Sequence, residues 1–199
     1  MGNLLMASVQ IKGTRPLLFN HLRPSPEFGQ RKERTGTAGN DPAEWQRSVL
    51  MVPETRQLYL LPTYIFGCWR DAARWTKRGK TSLLAAVAST LQVPERRILV
   101  DRFLPEQPQF HSEDAEDPVY VYMAIAGGVS RKGAKHVRYR VAAGAGWQCQ
   151  FSLLWDKTIV SRGEMQAIGL DAGRFVGLGD GRAIGYGRFE VVAFEMTSD

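Results

Sequence analysis

Alternating and helical hydrophobic patterns divide the first part of the chain into elements. The segment 5–12 predicts a strand, because the apolar Leu5, Ala7, Val9 and Ile11 alternate with Met6, Ser8, Gln10 and Lys12. The run LYLLPTY (58–64) predicts a short extended piece that leads into a helix capped by Thr63. Apolar residues recur along one face of that helix, and Gly79 predicts its end.

Further elements follow from the same patterns. A second helix is predicted between Thr81 and Pro94, with apolar residues at helical spacing. ERRILVDRF (95–103) and VYVYMAIA (119–126) predict strands, the second from its aromatic and β-branched residues. WQCQFSLLWDKTIV (147–160) alternates large apolar residues with polar ones, which predicts another long strand.

The C-terminal part predicts one more helix and a closing strand. Ser161 followed by Glu164 is a capping box, and the helix that it starts is predicted to end near Gly173. RFEVVAFEM (188–196) predicts the last strand. Without its loops the order is βαββαβ, which predicts an α+β fold with a ferredoxin-like (RRM-like) frame.

Two long segments interrupt this frame. At 199 residues the chain fits a single domain (1–199), with insertions at about 15–57 and 104–146. The first insertion is irregular and rich in proline, and it is either a functional segment or a mobile surface loop. The second contains an acidic loop at 105–117 and a predicted β-hairpin with a basic tip.

Composition narrows the class of protein. The chain is 44% hydrophobic and carries a net charge of +6, which favours a globular protein with an anionic partner. Cys68 and Cys149 lie in apolar surroundings and predict buried thiols rather than a disulfide or zinc site. No targeting segment or membrane span is evident, so we expect a cytoplasmic protein without a membrane partner.

A run of glycines precedes the last strand. It does not fit the dinucleotide pattern G-x-G-x-x-G or a P-loop, so no cofactor is predicted. Two alternatives remain: a tight helix-to-strand connection that requires positive φ, or a backbone surface that binds a phosphate beside Arg182. The glycines are Gly177, Gly179, Gly181, Gly185 and Gly187.

Basic residues cluster at two further places. Such charges are often only a solvated face, but a stripe of one sign is typical of surfaces that bind a polyanion. Together with the glycine run they make nucleic acid the leading partner. On the predicted first helix the basic face comprises Arg70, Arg74, Lys77 and Arg78. On the predicted hairpin the residues are Arg131, Lys132, Lys135 and Arg138.

Catalytic patterns are weak. His21, His111 and His136 are scattered, and no metal-ligand spacing or catalytic triad is evident. His21 and Asp41 are the weak candidates for chemistry. Asp41 fits better as the cap of the DPAEWQ helical turn.

Two of these motifs resemble the CRISPR-associated RAMP superfamily. VGLGDGRAIGYGRF resembles the glycine-rich loop that precedes the last strand in that superfamily. LYLLPTYIFGCWRDAARW resembles the extended piece and basic first helix of its backbone subunits. The matching positions are Leu61, Pro62, Thr63, Gly67 and Arg70.

The resemblance implies a non-catalytic subunit that oligomerises along a guide RNA within an effector complex. Its partners would be the CRISPR RNA, other copies of itself, other effector subunits, and a DNA or RNA target paired through the guide. The palm contacts would come from Arg70, Arg74 and the glycine loop with Arg182. A thumb would correspond either to the segment 131–140 or to the loop 22–45.

Two other functions stay open. One is a metal-independent RNA-processing endoribonuclease of the same superfamily, in which His21 would be the general acid or base. The other is a phage or mobile-element RNA-binding protein with an RRM-like sheet, although no strand carries the aromatic RNP pattern.

Overall fold

Eleven strands and four helices occur in the part of the chain that the structure describes. The computed structural model describes residues 2–21, 42–127 and 135–196, without the side chains of 125–127 and 135–136. The strands are β1 (Leu4–Gly13), β2 (Leu17–Phe19), β3 (Gln57–Leu60), β4 (Lys77–Arg78), β5 (Thr81–Ser82), β6 (Ile98–Phe103), β7 (Phe110–His111), β8 (Val119–Gly127), β9 (Lys135–Ala143), β10 (Gln148–Asp156) and β11 (Phe189–Met196). The helices are α1 (Glu44–Ser48), α2 (Pro62–Ala72), α3 (Leu84–Thr90) and α4 (Arg162–Asp171).

A five-stranded antiparallel sheet forms the centre of the fold. Its strand order is β11–β1–β10–β6–β3. Strand β1 pairs with β10 along nearly its whole length, with Val9 opposite Phe151. Along the chain, β1, α2, β6, β10, α4 and β11 give the βαββαβ connection, so the prediction of an α+β ferredoxin-like frame is confirmed.

The helices cover one face of this sheet. Ala7, Val9 and Ile11 of β1 are fully buried, whereas the intervening Ser8 and Gln10 remain partly exposed on the other face. Trp69 of α2 is also fully buried. Its ring stacks on Phe189 of β11 at 5.8 Å and meets Phe151 of β10 edge-on at 5.4 Å. This aromatic cluster packs α2 against strands β10 and β11 of the sheet.

A second sheet has the order β2–β9–β8–β7. Strands β8 and β9 pair antiparallel from Val119 to Gly127, which confirms the predicted hairpin. Strand β2 pairs with the end of β9, with Leu18 opposite Ala142. Buried residues of this sheet, among them Leu17, Val121 and Val141, belong to the same hydrophobic core as those of β1. One continuous core therefore supports both sheets.

The helix predicted after LYLLPTY is α2 in the structure, and it differs from its prediction at both ends. Thr63 is not its cap: α2 begins after Leu61, and Pro62 occupies its first turn, where the missing N–H costs nothing. The helix ends at Ala72 rather than at Gly79. Gly79, at φ 63°, instead turns the small β4–β5 ribbon. Among the described residues no helix is both long and apolar enough to span a bilayer.

The predicted capping box of α4 is confirmed. The Ser161 hydroxyl oxygen accepts from the Glu164 N–H at 3.3 Å, and the Glu164 carboxylate accepts from the Ser161 N–H at 2.8 Å. Arg78 of β4 also donates two hydrogen bonds to Glu164, at 2.9 and 2.7 Å. The Arg78 guanidinium lowers the pKa of Glu164 to about 2. One carboxylate thus both caps α4 and anchors the ribbon.

We expect Glu164→Gln to have a lower melting temperature than the wild type at pH 7. This difference between the two proteins should become smaller in acid. The amide keeps the capping geometry but lacks the charge that Arg78 binds, so the decrease at pH 7 should be roughly 1 to 4 °C. Because the folded pKa of about 2 lies below the ordinary 4.5, the stabilisation is present above pH 4.5 and declines as pH falls towards 2.

Thermal denaturation by circular dichroism between pH 7 and pH 3 measures this difference. Glu190→Gln, an exposed carboxylate on β11, is the matched control and should show no such pH dependence. A difference between Glu164→Gln and wild type that stays constant across this range would contradict the account.

Candidate nucleic-acid interface

The glycine loop, Gly177–Gly187, joins α4 to β11. A π-helical turn (Ala172–Val176) follows α4, and a 3₁₀ turn (Arg182–Ile184) lies within the loop. All five glycines of the loop have φ between 67° and 95°. Other residues reach this left-handed region only with strain, so the glycines determine the path of the loop.

Two of these glycines allow the backbone to approach itself closely. A Cβ on Gly187 would overlap the carbonyl oxygen of Leu178. A Cβ on Gly179 would overlap the carbonyl oxygen of Leu18 in β2. Neither position tolerates a side chain without movement of the backbone.

Two more glycines pack against Tyr186. A Cβ on Gly177 would lie 2.9 Å from the Tyr186 carbonyl oxygen, and one on Gly181 would lie 2.9 Å from its ring. Gly185, at φ 95°, faces open space instead. Positive φ therefore favours glycine at all five positions, and close packing excludes a side chain at four of them.

Hydrogen bonds fix the loop to the second sheet. The Asp180 N–H donates to the Leu18 carbonyl at 2.9 Å, and the Gly187 N–H donates to the Pro16 carbonyl at 2.8 Å.

Three backbone N–H groups of the loop have no partner among the described residues, and these can bind an anion. They belong to Gly179, Arg182 and Ala183.

Asp71 gathers three arginines at the end of α2. Arg70 donates to its carboxylate through two nitrogens, at 3.0 and 2.8 Å. Arg182 of the glycine loop approaches Asp71 to 3.8 Å, and Arg74 to 3.9 Å. The structure thus brings together three predicted site residues from two distant parts of the chain, and the cluster keeps a net positive charge.

Arg74 and Arg182 border a cleft of about 650 Å³ between the end of α2 and the glycine loop, and Asp71 lines it between them and Arg70. Arg188 lines it as well, and one of its buried guanidinium nitrogens has no partner in the described part of the chain. Trp75 and Phe175 also line the cleft, although both are more than half exposed.

Sequence reasoning missed seven residues of this cleft. They are Asp71, Trp75, Phe175, Val176, Asp180, Ala183 and Arg188. The sequence contains one local signal for the two aromatic residues of the cleft. Each directly follows an arginine, in the pairs Arg74-Trp75 and Arg174-Phe175.

Lys77 and Arg78 do not share a helix face with Arg70, as the sequence predicted. Both lie on β4, beyond the end of α2. Lys77 is exposed, whereas Arg78 binds Glu164 and the Ile159 carbonyl at 3.0 Å. The prediction assumed six more helical residues, 73–78, than the structure has.

The basic hairpin uses its arginines partly within the protein. Arg138 of β9 pairs with Glu44 of α1 at 3.1 Å. Arg140 is only 8% exposed and bridges Glu44 at 3.0 Å and Asp180 at 3.3 Å. Arg131 and Lys132 lie outside the described residues, as does the side chain of Lys135.

His21, one of the two weak candidates for chemistry, does not line the cleft. The His21 Nδ1 lies 3.5 Å from the Tyr64 hydroxyl of α2, and the two rings meet edge-on. Burial, with a smaller contribution from Asp180, raises the pKa of Tyr64. Asp41 lies outside the described residues. Within the described ranges no group of three or more His, Cys, Asp or Glu is arranged to hold a metal ion.

Comparison with known proteins finds a similarity in structure. No protein-family model matches the chain, and no curated protein matches its sequence. One chain in the cryo-EM structure of the Type III-B Cmr-beta bound to cognate target RNA is similar, with a TM-score of 0.60 at 11% identity. The protein shares its fold with a chain of that CRISPR complex.

The extent of the match differs between the two chains. It covers 98% of this chain and 61% of the Cmr-beta chain. The protein therefore spans about three-fifths of the length of the chain that it resembles.

We expect Gly187→Ala to destabilise the protein much more than Gly185→Ala. Both residues have positive φ, so both variants carry backbone strain of about 1 kcal/mol. Only the Gly187 variant also overlaps a carbonyl oxygen, so its loss should reach about 3 kcal/mol or more. Urea denaturation measures both values, and equal losses would contradict the close backbone approach.

We expect Arg140→Ala to lower the free energy of unfolding by about 2 kcal/mol, since it removes a buried partner of two carboxylates. Arg138→Ala removes a half-exposed pair and should cost less than about 1 kcal/mol. Urea denaturation of both variants tests this order. The reverse order would show that Arg140 does not hold the glycine loop to β9.

Proposed function

We propose that the protein is a non-catalytic RNA-binding subunit of a CRISPR effector complex. In this role it oligomerises along a guide RNA and presents it for pairing with a DNA or RNA target. The observation that carries the proposal is the cleft in which Arg74 and Arg182 lie beside the glycine loop, next to an Asp71 carboxylate that also binds Arg70.

The geometry of the arginines supports binding of a phosphodiester backbone. Arg74 and Arg182 approach Asp71 only to 3.9 and 3.8 Å, which is beyond hydrogen-bond distance, so their N–H groups are available to phosphate oxygens. Arg188 lines the same cleft and adds a further positive charge there. The loop N–H groups of Arg182 and Ala183 add neutral donors nearby.

The fold and the motifs support the effector context. The matched Cmr-beta structure is bound to cognate target RNA. The glycine loop and the LYLLPTYIFGCWRDAARW segment resemble the RAMP superfamily at both ends of the same frame. We therefore propose a single RAMP-like domain (1–199) with insertions at about 15–57 and 104–146, whose thumb is the segment 131–140 or the loop 22–45.

The position of His21 favours binding over RNA processing. Its imidazole is turned towards Tyr64 and is not among the residues that line the cleft. A nuclease would require this group beside the bound RNA backbone.

The proposal predicts a salt-dependent affinity that requires the cleft. Arg74→Ala and Arg182→Ala should each weaken binding of single-stranded RNA and lower the slope of log affinity against log salt by about 0.7. Arg96→Ala, which removes an exposed arginine outside the cleft, is the matched control. Fluorescence anisotropy at several salt concentrations measures the slopes, and unchanged slopes in both cleft variants would overturn the interface.

Incubation of the protein with the same RNA distinguishes a binding subunit from an endoribonuclease. Incubation without metal should leave the RNA intact, and longer RNA should bind more copies of the protein. Cleavage at defined sites that is abolished by His21→Ala would replace the proposal with an endoribonuclease.

A further inference from the structure

We infer that Trp75 and Phe175 form a stacking platform for a base of single-stranded RNA. This inference rests on the proposed function, because the phosphates beside that base would lie on Arg74 and Arg182. It adds a base-binding site to a surface that would otherwise contact only the RNA backbone.

The two rings lie next to each other in the lining of the cleft. Trp75 lies in the turn after α2, where its backbone N–H donates to the Ala72 carbonyl at 2.9 Å. Phe175 lies on the π-helical turn after α4. The ring centroids are 6.1 Å apart with an angle of 58° between the planes. A tilted pair of this kind supports one base on its outer surface.

Burial shows that Trp75 is an exception in this protein. Of the chain's 5 tryptophans, all of which are described, the other four are at most 9% exposed. Trp75 is 59% exposed and Phe175 is 56% exposed. Leaving two large aromatic surfaces in water forgoes the stabilisation that their burial would provide, so an adjacent exposed pair indicates a binding surface.

The charge around Trp75 and Phe175 indicates which class of ligand binds there. Each aromatic directly follows an arginine, Arg74 or Arg174, and Arg182 and Arg188 line the same cleft as the rings. The cleft lining holds three arginines and two aspartates, Asp71 and Asp180, and its net positive charge favours a polyanion over the apolar face of a second protein. Arginines that contact phosphates beside aromatics that stack on bases are typical of single-strand binding grooves.

Tryptophan fluorescence tests the inference directly, because Trp75 is the tryptophan that solvent and ligand reach. Adding a uridine oligonucleotide to the full chain should quench the emission. A matched oligonucleotide of abasic sugar-phosphate units should bind without this quenching. The Trp75→Ala variant should show no RNA-dependent change in its remaining fluorescence.

Affinity measurements supply the second readout. Trp75→Ala and Phe175→Ala should each weaken uridine oligonucleotide binding roughly tenfold while leaving the salt slope unchanged, since stacking releases no counterions. Trp75→Phe should retain most of the affinity. Phe103→Ala removes a phenylalanine that is equally exposed, at 56%, on β6 outside the cleft, and should have no effect.

The outcomes separate this inference from the proposed function. If the wild type binds RNA through its arginines but both aromatic variants bind equally well, the platform is wrong and the proposed function stands. If the wild type does not bind RNA, both are wrong. A fluorescence change that depends on protein concentration without RNA would assign the rings to contact between copies and overturn the platform.

Discussion

The close approach of the glycine loop to β2 is the contact on which the candidate site depends. Gly179 lies against the Leu18 carbonyl, and the Asp180 N–H bonds to that same oxygen. Because a side chain at Gly179 would not fit there, the loop can rest on the second sheet only with glycine at this position. This contact places Arg182 beside the end of α2. The glycines thus act mainly through the fold, and the arginine that they position provides the charge.

Asp71 completes the arrangement on which the proposed binding surface depends. Its carboxylate orders Arg70 and Arg74 of one segment and Arg182 of a distant one, which would otherwise repel one another. It does not neutralise them, so a phosphate backbone can replace water around the remaining donors. Arg140 differs from them because it is buried, and it ties the loop to β9 and α1 through Asp180 and Glu44. Basic residues that look alike in the sequence therefore divide into structural and binding roles.

The strands and the start of α4 were predictable because their signals are local. The alternation in β1 and β10 and the capping box at Ser161 each depend on residues within a few positions. The end of α2 was not predictable, because Arg78 leaves the helix to meet Glu164, 86 residues away. Strand β2 was missed for the same reason, since it is only three residues long and pairs with β9. The pairing of Trp75 with Phe175 likewise requires the fold and could not be read from spacing.

Ultraviolet cross-linking of the full chain to single-stranded RNA, with the cross-linked peptides identified by mass spectrometry, tests the central claim most directly. The open face of the five-stranded sheet is the competing surface, because RRM-like proteins bind RNA on their sheets. In this protein that face carries the partly exposed Gln10 and Gln148 and the exposed Gln150. The account predicts cross-links within 70–75 and 174–188, on the two walls of the cleft. Cross-links confined to β1, β6 and β10 would contradict it.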